Sequence, residues 1–154
     1  MVTLTAEDIR AAIGDVPDPE IPVVTISELG IIERVVVTSD AIEIDLLPTF
    51  TGCPALDVIK QDVERAAQGL AGDRDIRVRF VFDPPWTTDR VTPEARKHLT
   101  SFGIAGPTLL QIAVPCPYCG SRDTVIESEF GPTLCRTTRY CNACRNPFEG
   151  FKTK

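Results

Sequence analysis

The chain has 154 residues, of which 43% are hydrophobic and 25% are charged, with a formal net charge of −6. This composition is typical of a folded globular protein and excludes a disordered or fibrous chain. No apolar run approaches the roughly eighteen residues that a membrane span requires, and the acidic start of the chain does not resemble a secretory signal. We therefore expect a cytoplasmic protein with no membrane partner.

The charge is divided unevenly along the chain. Residues 1–115 contain 10 Lys and Arg against 18 Asp and Glu, whereas residues 116–154 contain 6 against 4, together with five of the six cysteines. This change predicts a boundary near Pro115, and the acidic front part argues against a nucleic-acid partner. The chain has a single histidine, His98, which we expect on the solvated surface. One histidine argues against sites that need a histidine base or several imidazole ligands.

The hydrophobic periodicity of residues 1–101 predicts alternating helices and strands. A first helix begins after the cap Thr5, and the prolines at positions 17, 19 and 22 make the next stretch an ordered loop. Two strands then form a hairpin across Ser39-Asp40, and a longer helix, a third strand and a short helix follow. The predicted ranges of these five elements are 31–37, 42–47, 54–70, 76–82 and 92–101.

This order of elements predicts the α/β (α+β) class, with a small sheet of about three strands packed against helices. We place the first domain at residues 1–103 and a linker at residues 104–115, where Gly106, Pro107 and Pro115 flank apolar residues. We expect the linker to pack partly on the domain. Residues 116–154 show only short-strand periodicity, which suits a small module stabilised by more than its own core.

Two C-x2-C motifs stand in this C-terminal module with 21 residues between them. Two such knuckles on opposed hairpins complete a tetrahedral metal site with Zn–S distances of about 2.3 Å, and four thiolates leave no open coordination position. The motifs predict a four-cysteine zinc ribbon with structural zinc; rubredoxin-like iron for electron transfer and disulfides are the alternatives. The predicted ligands are Cys116, Cys119, Cys141 and Cys144.

The ribbon also contains a fifth cysteine and four arginines. Cys135 is either a small buried hydrophobe or a reserve ligand or redox partner. Zinc bound to four thiolates brings the net charge of the ribbon to zero, so the arginines do not by themselves predict a DNA-binding surface, and a protein contact is the better expectation. These arginines are Arg122, Arg136, Arg139 and Arg145.

Cys53 stands apart from the other cysteines, in the sequence Thr51-Gly52-Cys53-Pro54. We expect it at the N-cap of the longer helix, where backbone amides and the helix dipole favour a thiolate, so it is either a ligand or nucleophile or merely a capping residue. Asp18 and Glu20 lie in the proline-rich loop. Carboxylates in such loops usually cap a helix or face water, and only proximity to Cys53 would change this interpretation.

Several segments resemble known families. The segments DPEIP, LGI and TGCPA resemble the iron–sulfur assembly domain of SufT-like (MIP-type) proteins and of a component of the cytosolic iron–sulfur targeting complex; they are residues 18–22, 29–31 and 51–55. Later segments resemble one branch, the PaaD or PaaJ proteins, which are the D-type subunits of the bacterial ring-1,2-phenylacetyl-CoA epoxidase. They are DPPWTTD, TPEAR, SEFG and CRNPF, at residues 83–89, 92–96, 128–131 and 144–148.

The resemblance implies a supporting role in aerobic phenylacetate breakdown, where a multicomponent epoxidase has a di-iron oxygenase subunit and a flavin and 2Fe-2S reductase subunit. It implies that the chain helps to assemble or repair a metal centre and contacts the epoxidase subunits, above all the 2Fe-2S reductase subunit. The residues it marks as handling a transient iron ion or iron–sulfur cluster are Asp18, Glu20, Thr51 and Cys53, with the four ribbon cysteines as metal ligands.

The residue inventory agrees with an assembly factor better than with an oxygenase, because one histidine and no Glu-x-x-His motif cannot form a di-iron site. One thiolate is too few for a stable cluster, so we expect a second copy of the chain or a partner to supply further ligands. The alternative is a structural adaptor that tethers epoxidase subunits through the ribbon. Rubredoxin-like electron transfer is a third possibility.

Overall fold

The computed structural model of the protein describes residues 3–106 and 113–152. The chain forms two compact units, Met1–Arg90 and Val91–Lys154. None of the helices within the described ranges is long and apolar enough to cross a membrane.

The first unit consists of a three-stranded sheet and two helices. Helix α1 (Ala6–Gly14) is followed by β1 (Ile32–Val37), β2 (Ala41–Leu46), α2 (Leu56–Ala71) and β3 (Asp75–Phe80). The strand order is β1-β2-β3, with β1 antiparallel to β2 and β3 parallel to β2. The parallel pair is possible because α2 forms the crossover between its strands. The predicted class and the three-stranded sheet are confirmed.

Local sequence signals explain where the helices begin and end. Thr5 and Asp8 form the predicted capping box: Asp8 N–H donates to Thr5 Oγ1 at 3.2 Å, and Thr5 N–H donates to Asp8 Oδ2 at 2.8 Å. Gly72 caps the C-terminus of α2 with a φ of 62°, which glycine adopts without strain. The two helices pack on each other and on the sheet through buried residues that include Ile9, Ile13, Ile59, Val63 and Ala67.

A buried carboxylate joins the three strands. Asp45 of β2 is 6% exposed and accepts hydrogen bonds from Arg34 of β1 at 2.9 Å and from Arg79 of β3 at 2.6 Å. The bond from Arg79 is the main reason that the pKa of Asp45 is lowered, burial opposes this effect, and the bond from Arg34 adds to it. This ion-pair row supports the register in which both arginines lie opposite Asp45.

The second unit contains helix α3 (Pro93–Ser101) and a four-stranded sheet. The strands are β4 (Ile104–Ala105), β5 (Thr124–Ser128), β6 (Arg136–Cys141) and β7 (Pro147–Phe151), in the order β4-β7-β6-β5. Strands β5, β6 and β7 are antiparallel neighbours, and β4 is parallel to β7. Thr92 caps α3, since its side chain accepts the Ala95 N–H at 3.1 Å.

Two assignments made from the sequence differ from this arrangement. Helix α3, which we placed in the first domain, belongs to the second unit, and β4 is a sheet strand at the start of the predicted linker. Local periodicity does not reveal β4 because its partner lies far along the chain, at residues 147–151. Linker residues 107–112 lie outside the described residues, and the domain boundaries 1–103, 104–115 and 116–154 stay a prediction.

Candidate metal centre and thiol site

Four cysteine thiols converge in the second unit. The Sγ atoms of Cys116, Cys119, Cys141 and Cys144 all lie within 4.8 Å of one another. The separation is 3.7 Å between Cys116 and Cys144 and 3.6 Å between Cys119 and Cys141. A regular tetrahedron with Zn–S distances of about 2.3 Å has edges of about 3.8 Å. The quartet therefore fits a tetrahedral ion at its centre, and a donor set of four thiolates suits zinc.

Two knuckles of the same local geometry present these thiols. Gly120 N–H donates to Cys116 O at 2.8 Å in the first knuckle, and Arg145 N–H donates to Cys141 O at 2.9 Å in the second. Gly120 and Arg145 each follow the second cysteine of their knuckle, with φ values of 75° and 60°. Both knuckles thus require a left-handed backbone conformation after the second cysteine. Glycine adopts this conformation freely, whereas arginine adopts it under strain.

An apolar cluster packs around the quartet. Cys116 and Cys141 are buried with Ala105, Val114 and Phe148 in one cluster. Ala105 and Val114 lie on either side of segment 107–112, so both ends of the predicted linker contribute to the core of the ribbon. Four thiolates leave no open coordination position, so the quartet suits a structural ion and not one that activates water.

The amide groups of Asn146 face one of the four thiols. Cys144 is half-buried, and Asn146 Nδ2 donates to its Sγ at 3.5 Å. Burial raises the pKa of Cys144, but hydrogen bonds from the backbone and side chain of Asn146 and the neighbouring thiols lower it to about 7. A thiol with a lowered pKa gives up its proton to a metal ion more readily.

Cys135 does not belong to the quartet. It is 8% exposed, and its Sγ lies 3.2 Å from Thr133 Oγ1. Within the described ranges, the group of metal-ligating side chains that could hold an ion contains the other four ribbon cysteines but not Cys135. Its burial favours the interpretation as a small buried hydrophobe.

The proline-rich loop of the first unit is organised by Asp18. This carboxylate is 9% exposed, and its Oδ1 accepts the N–H groups of Glu20 at 2.9 Å and Ile21 at 2.8 Å. The Asp18 N–H donates to Val24 O at 2.9 Å, which closes the loop across its tip. Asp18 therefore stabilises the loop by capping backbone amides and directs the chain so that Glu20 lies at the tip.

Glu20 and Cys53 are brought together from two loops. The Sγ of Cys53 lies 3.8 Å from Glu20 Oε2 as a weak hydrogen-bond donor, and both side chains are half-buried. This is the proximity on which a functional interpretation of the loop carboxylates depends. Thr51, on the turn that leads to Cys53, is exposed. The pair offers one sulfur and one carboxylate, and both are donor types that iron accepts in proteins.

Cys53 is not at the N-cap of α2. The N-cap is Ala55, and Cys53 lies two residues earlier, in a turn closed by Leu56 N–H donating to Cys53 O at 3.3 Å. Pro54 explains the difference, because its fixed φ and missing N–H suit the second position of a turn. The predicted capping position is therefore wrong, and the argument that capping amides favour a thiolate does not apply to Cys53.

A segment that the sequence marked only by its resemblance contacts the proline-rich loop. Trp86 Nε1 donates to Leu29 O at 2.7 Å, and Arg90 Nε donates to Gly30 O at 2.8 Å. The bonded residues are 57 and 60 positions apart in the sequence. Residue spacing could not predict these contacts, although the run DPPWTTD predicts that the chain turns there.

Family models match both parts of the chain. Residues 6–80, which include the pair Glu20 and Cys53, match the model described as an iron–sulfur cluster assembly protein. Residues 106–152, which include all four ribbon cysteines, match the PaaD zinc β-ribbon domain.

Two solved structures resemble the first of these parts. A domain of unknown function from Bacillus anthracis superposes with a TM-score of 0.56 at 28% identity and covers 61% of this chain and 90% of its own. A conserved hypothetical protein from Thermotoga maritima superposes with a TM-score of 0.54 at 30% identity and covers 65% of this chain and 95% of its own. The likeness supports the fold described above for the N-terminal part of the chain.

Relatives of known name extend the comparison to nearly the whole chain. The Fe-S protein maturation auxiliary factor of Porphyromonas gingivalis (strain ATCC BAA-308 / W83) is 34% identical over 96 residues, which are 62% of this chain and 90% of that protein. A protein of Escherichia coli (strain K12) named as the D-type subunit of 1,2-phenylacetyl-CoA epoxidase is 39% identical over 151 residues, which are 94% of this chain and 91% of that protein. The chain therefore belongs to the PaaD-like family of 1,2-phenylacetyl-CoA epoxidase subunits, in which an iron–sulfur assembly domain precedes a PaaD zinc ribbon.

Proposed function

We propose that the chain is an accessory subunit of the phenylacetyl-CoA ring-1,2-epoxidase system in aerobic phenylacetate catabolism, and that it assists the assembly or maintenance of an iron–sulfur or di-iron centre in another subunit. The observation that carries this proposal is the 3.8 Å contact between Cys53 and Glu20 within the iron–sulfur assembly domain. Membership of the PaaD-like family supports the choice of the epoxidase system.

The chemistry of the proposed role is ligand exchange. Cys53 and Glu20 bind iron or a cluster weakly, and a ligand of the client protein replaces the Cys53 thiolate without any change in oxidation state. Cys53 is half-buried, so part of its surface is accessible to such a ligand. One thiolate is too few to keep a cluster, so a second copy of the chain or the client supplies the remaining ligands during transfer.

We propose that the client complex contains the 2Fe-2S reductase subunit and that the ribbon holds a structural zinc ion. Metal analysis of the purified chain tests the second point. We expect colourless protein with about one zinc ion per chain, since a small ribbon takes much of its folding free energy from the metal. Red protein with a similar content of iron would instead support rubredoxin-like electron transfer.

The carrier role is tested by Cys53→Ser, with Cys135→Ser as the matched control outside the quartet. Each variant is co-produced with the other epoxidase subunits, which are purified anaerobically. The 2Fe-2S absorbance of the reductase subunit and the iron content of the oxygenase subunit are then measured. We expect at least one of these to fall for Cys53→Ser and neither to fall for Cys135→Ser. Full metal content in both proteins with Cys53→Ser would refute the carrier role.

An adaptor that tethers epoxidase subunits through the ribbon is the second candidate. It is supported by exposed apolar side chains near one edge of the ribbon sheet: Val125, Ile126 and Phe130 are 48%, 42% and 75% exposed. An adaptor predicts that Val125→Lys reduces co-purification of the epoxidase subunits while Cys53→Ser has no effect. The carrier role predicts instead that Cys53→Ser lowers the metal content of the client and that Val125→Lys does not.

A further inference from the structure

The segment after β3 fixes the end of the proline-rich loop through two side chains. Trp86 is 9% exposed, and its indole N–H donates to Leu29 O at 2.7 Å. Arg90 Nε donates to the next carbonyl, Gly30 O, at 2.8 Å, while its Nη2 donates to Glu33 Oε2 at 2.7 Å. Two consecutive loop carbonyls are thus held by donors from one short segment. Trp86 and Arg90 are termed the clamp below.

The clamp fits the loop because residue 30 has no side chain. Gly30 has a φ of 67°, and a Cβ atom there would lie 2.5 Å from Arg90 Cβ and 2.6 Å from Arg90 O. Atoms at these distances overlap, so any larger residue at position 30 would displace Arg90 from the carbonyl that it binds. This close fit distinguishes the clamp from an exposed ion pair, whose partners can adopt many arrangements.

The clamped carbonyls directly precede the point where the two segments of the thiol site meet. Ile31 N–H donates to Ile26 O at 3.0 Å, which ties the loop that carries Glu20 to Ile31. Leu47 N–H donates to Ile31 O at 2.8 Å, which anchors the start of the segment that leads to Cys53. Holding the chain just before Ile31 therefore restricts both segments relative to each other.

We propose that Trp86 and Arg90 are positioning residues that keep Glu20 within reach of Cys53. The inference rests on the function proposed above, because a pair that captures and releases metal needs its two donors at a defined separation. The hydrogen bonds that define the clamp end on the backbone of Leu29 and Gly30, so the clamp acts through the backbone of the loop.

The test measures the reactivity of Cys53 in the zinc-loaded full chain. Iodoacetamide alkylation is followed on the Cys53 peptide by mass spectrometry as a function of pH. Glu20→Gln provides the reference: loss of the neighbouring carboxylate should speed alkylation near neutral pH by about fivefold, the factor for two unit charges about 4 Å apart in a water-like dielectric. Trp86→Phe keeps an aromatic ring and leaves the net charge of the protein unchanged, but it removes the indole N–H. It should move the alkylation profile in the same direction as Glu20→Gln, by at least twofold.

Two further variants separate positioning from general destabilisation. Arg90→Lys can bond one of the two acceptors and should show a smaller shift than Arg90→Gln. Arg77→Gln removes an exposed guanidinium paired with Asp75 on β3 and should leave the profile unchanged. The proposal is overturned if Glu20→Gln shifts the profile while Trp86→Phe and Arg90→Gln, both folded by circular dichroism, do not. It is also overturned if Glu20→Gln itself has no effect.

This readout is independent of metal delivery. If Cys53→Ser leaves the client proteins fully loaded, the proposed carrier function fails, while the alkylation profiles still report whether the clamp positions Glu20. If the clamp variants leave the profiles unchanged, the positioning role fails, and the carrier function still stands on its own test.

Discussion

Replacing Arg145 by glycine should stabilise the second metal knuckle. Arg145 has a φ of 60°, and an L-residue with a Cβ atom pays about 1–2 kcal/mol in this left-handed conformation. Glycine avoids this strain but loses about 0.5–1 kcal/mol more backbone entropy on folding. Taken from the middle of each range, the net gain for Arg145→Gly is about 0.75 kcal/mol.

The first knuckle supplies the reverse experiment. Gly120 holds the equivalent position with a φ of 75°, and a Cβ atom built there would have no heavy atom within 4 Å. Conformational strain is therefore the main new cost of Gly120→Ala, about 1 kcal/mol. The two substitutions should change the stability of the ribbon in opposite directions, although they affect the same kind of turn.

Zinc affinity is a sensitive measure of both effects, because metal binding and folding of a small ribbon are coupled. Competition with a chromophoric chelator should give a zinc Kd about two- to fivefold lower for Arg145→Gly and about fivefold higher for Gly120→Ala. A higher Kd for Arg145→Gly would refute the reasoning, since it would mean that the arginine side chain stabilises the knuckle by more than its backbone strain costs.

The remaining predictions concern three other charged groups. The folded pKa of Asp45 is lowered, so its stabilising effect is complete above the unfolded value of about 4 and is lost as the pH falls through the folded value. Asp45→Asn should therefore reduce the loss of stability that acid causes, as measured by urea unfolding. A loss of stability in acid equal to that of the unchanged chain would contradict this. Arg139 is 2% exposed, and its Nε and Nη2 have no hydrogen-bond partner in the part of the chain that is described. Arg139→Met should therefore increase the free energy of unfolding of the zinc-loaded protein by about 1–3 kcal/mol, which would be seen as a higher Tm. Arg136 is buried but paired with Glu149, so Arg136→Met should lower that Tm, and a decrease for both variants would contradict the argument.

Features with local causes could be predicted from residue spacing. The capping box at Thr5 depends on Asp8, three residues away, and the cap at Thr92 depends on an amide three residues away. The apolar faces of both helices in the first unit also follow from spacing. Cys53 shows the limit of such arguments, because Pro54 could start either a helix or a turn, and only the backbone around it distinguishes the two.

Features with distant causes could not be predicted in this way. Strand β4 forms only because β7 accepts it as a parallel neighbour, and β3 is parallel to β2 because α2 crosses between them. Trp86 finds its acceptor 57 residues earlier in the chain. The sequence marked this tryptophan only as part of a resemblance, and its hydrogen bond to Leu29 became evident when the fold placed the two segments side by side.

The sequence by itself determined the metal quartet and the presence of two different parts in the chain. Two cysteines separated by two residues can face one ion whatever surrounds them, and a change in composition needs no fold to be detected. Only the tertiary structure decided that Glu20 lies beside Cys53 and that the carboxylate of Asp18 accepts backbone N–H groups and so stabilises the loop. The carboxylate of Glu20 and the thiol are 33 residues apart, and backbone hydrogen bonds such as those of Ile31 N–H to Ile26 O and of Leu47 N–H to Ile31 O tie together the segments that carry them.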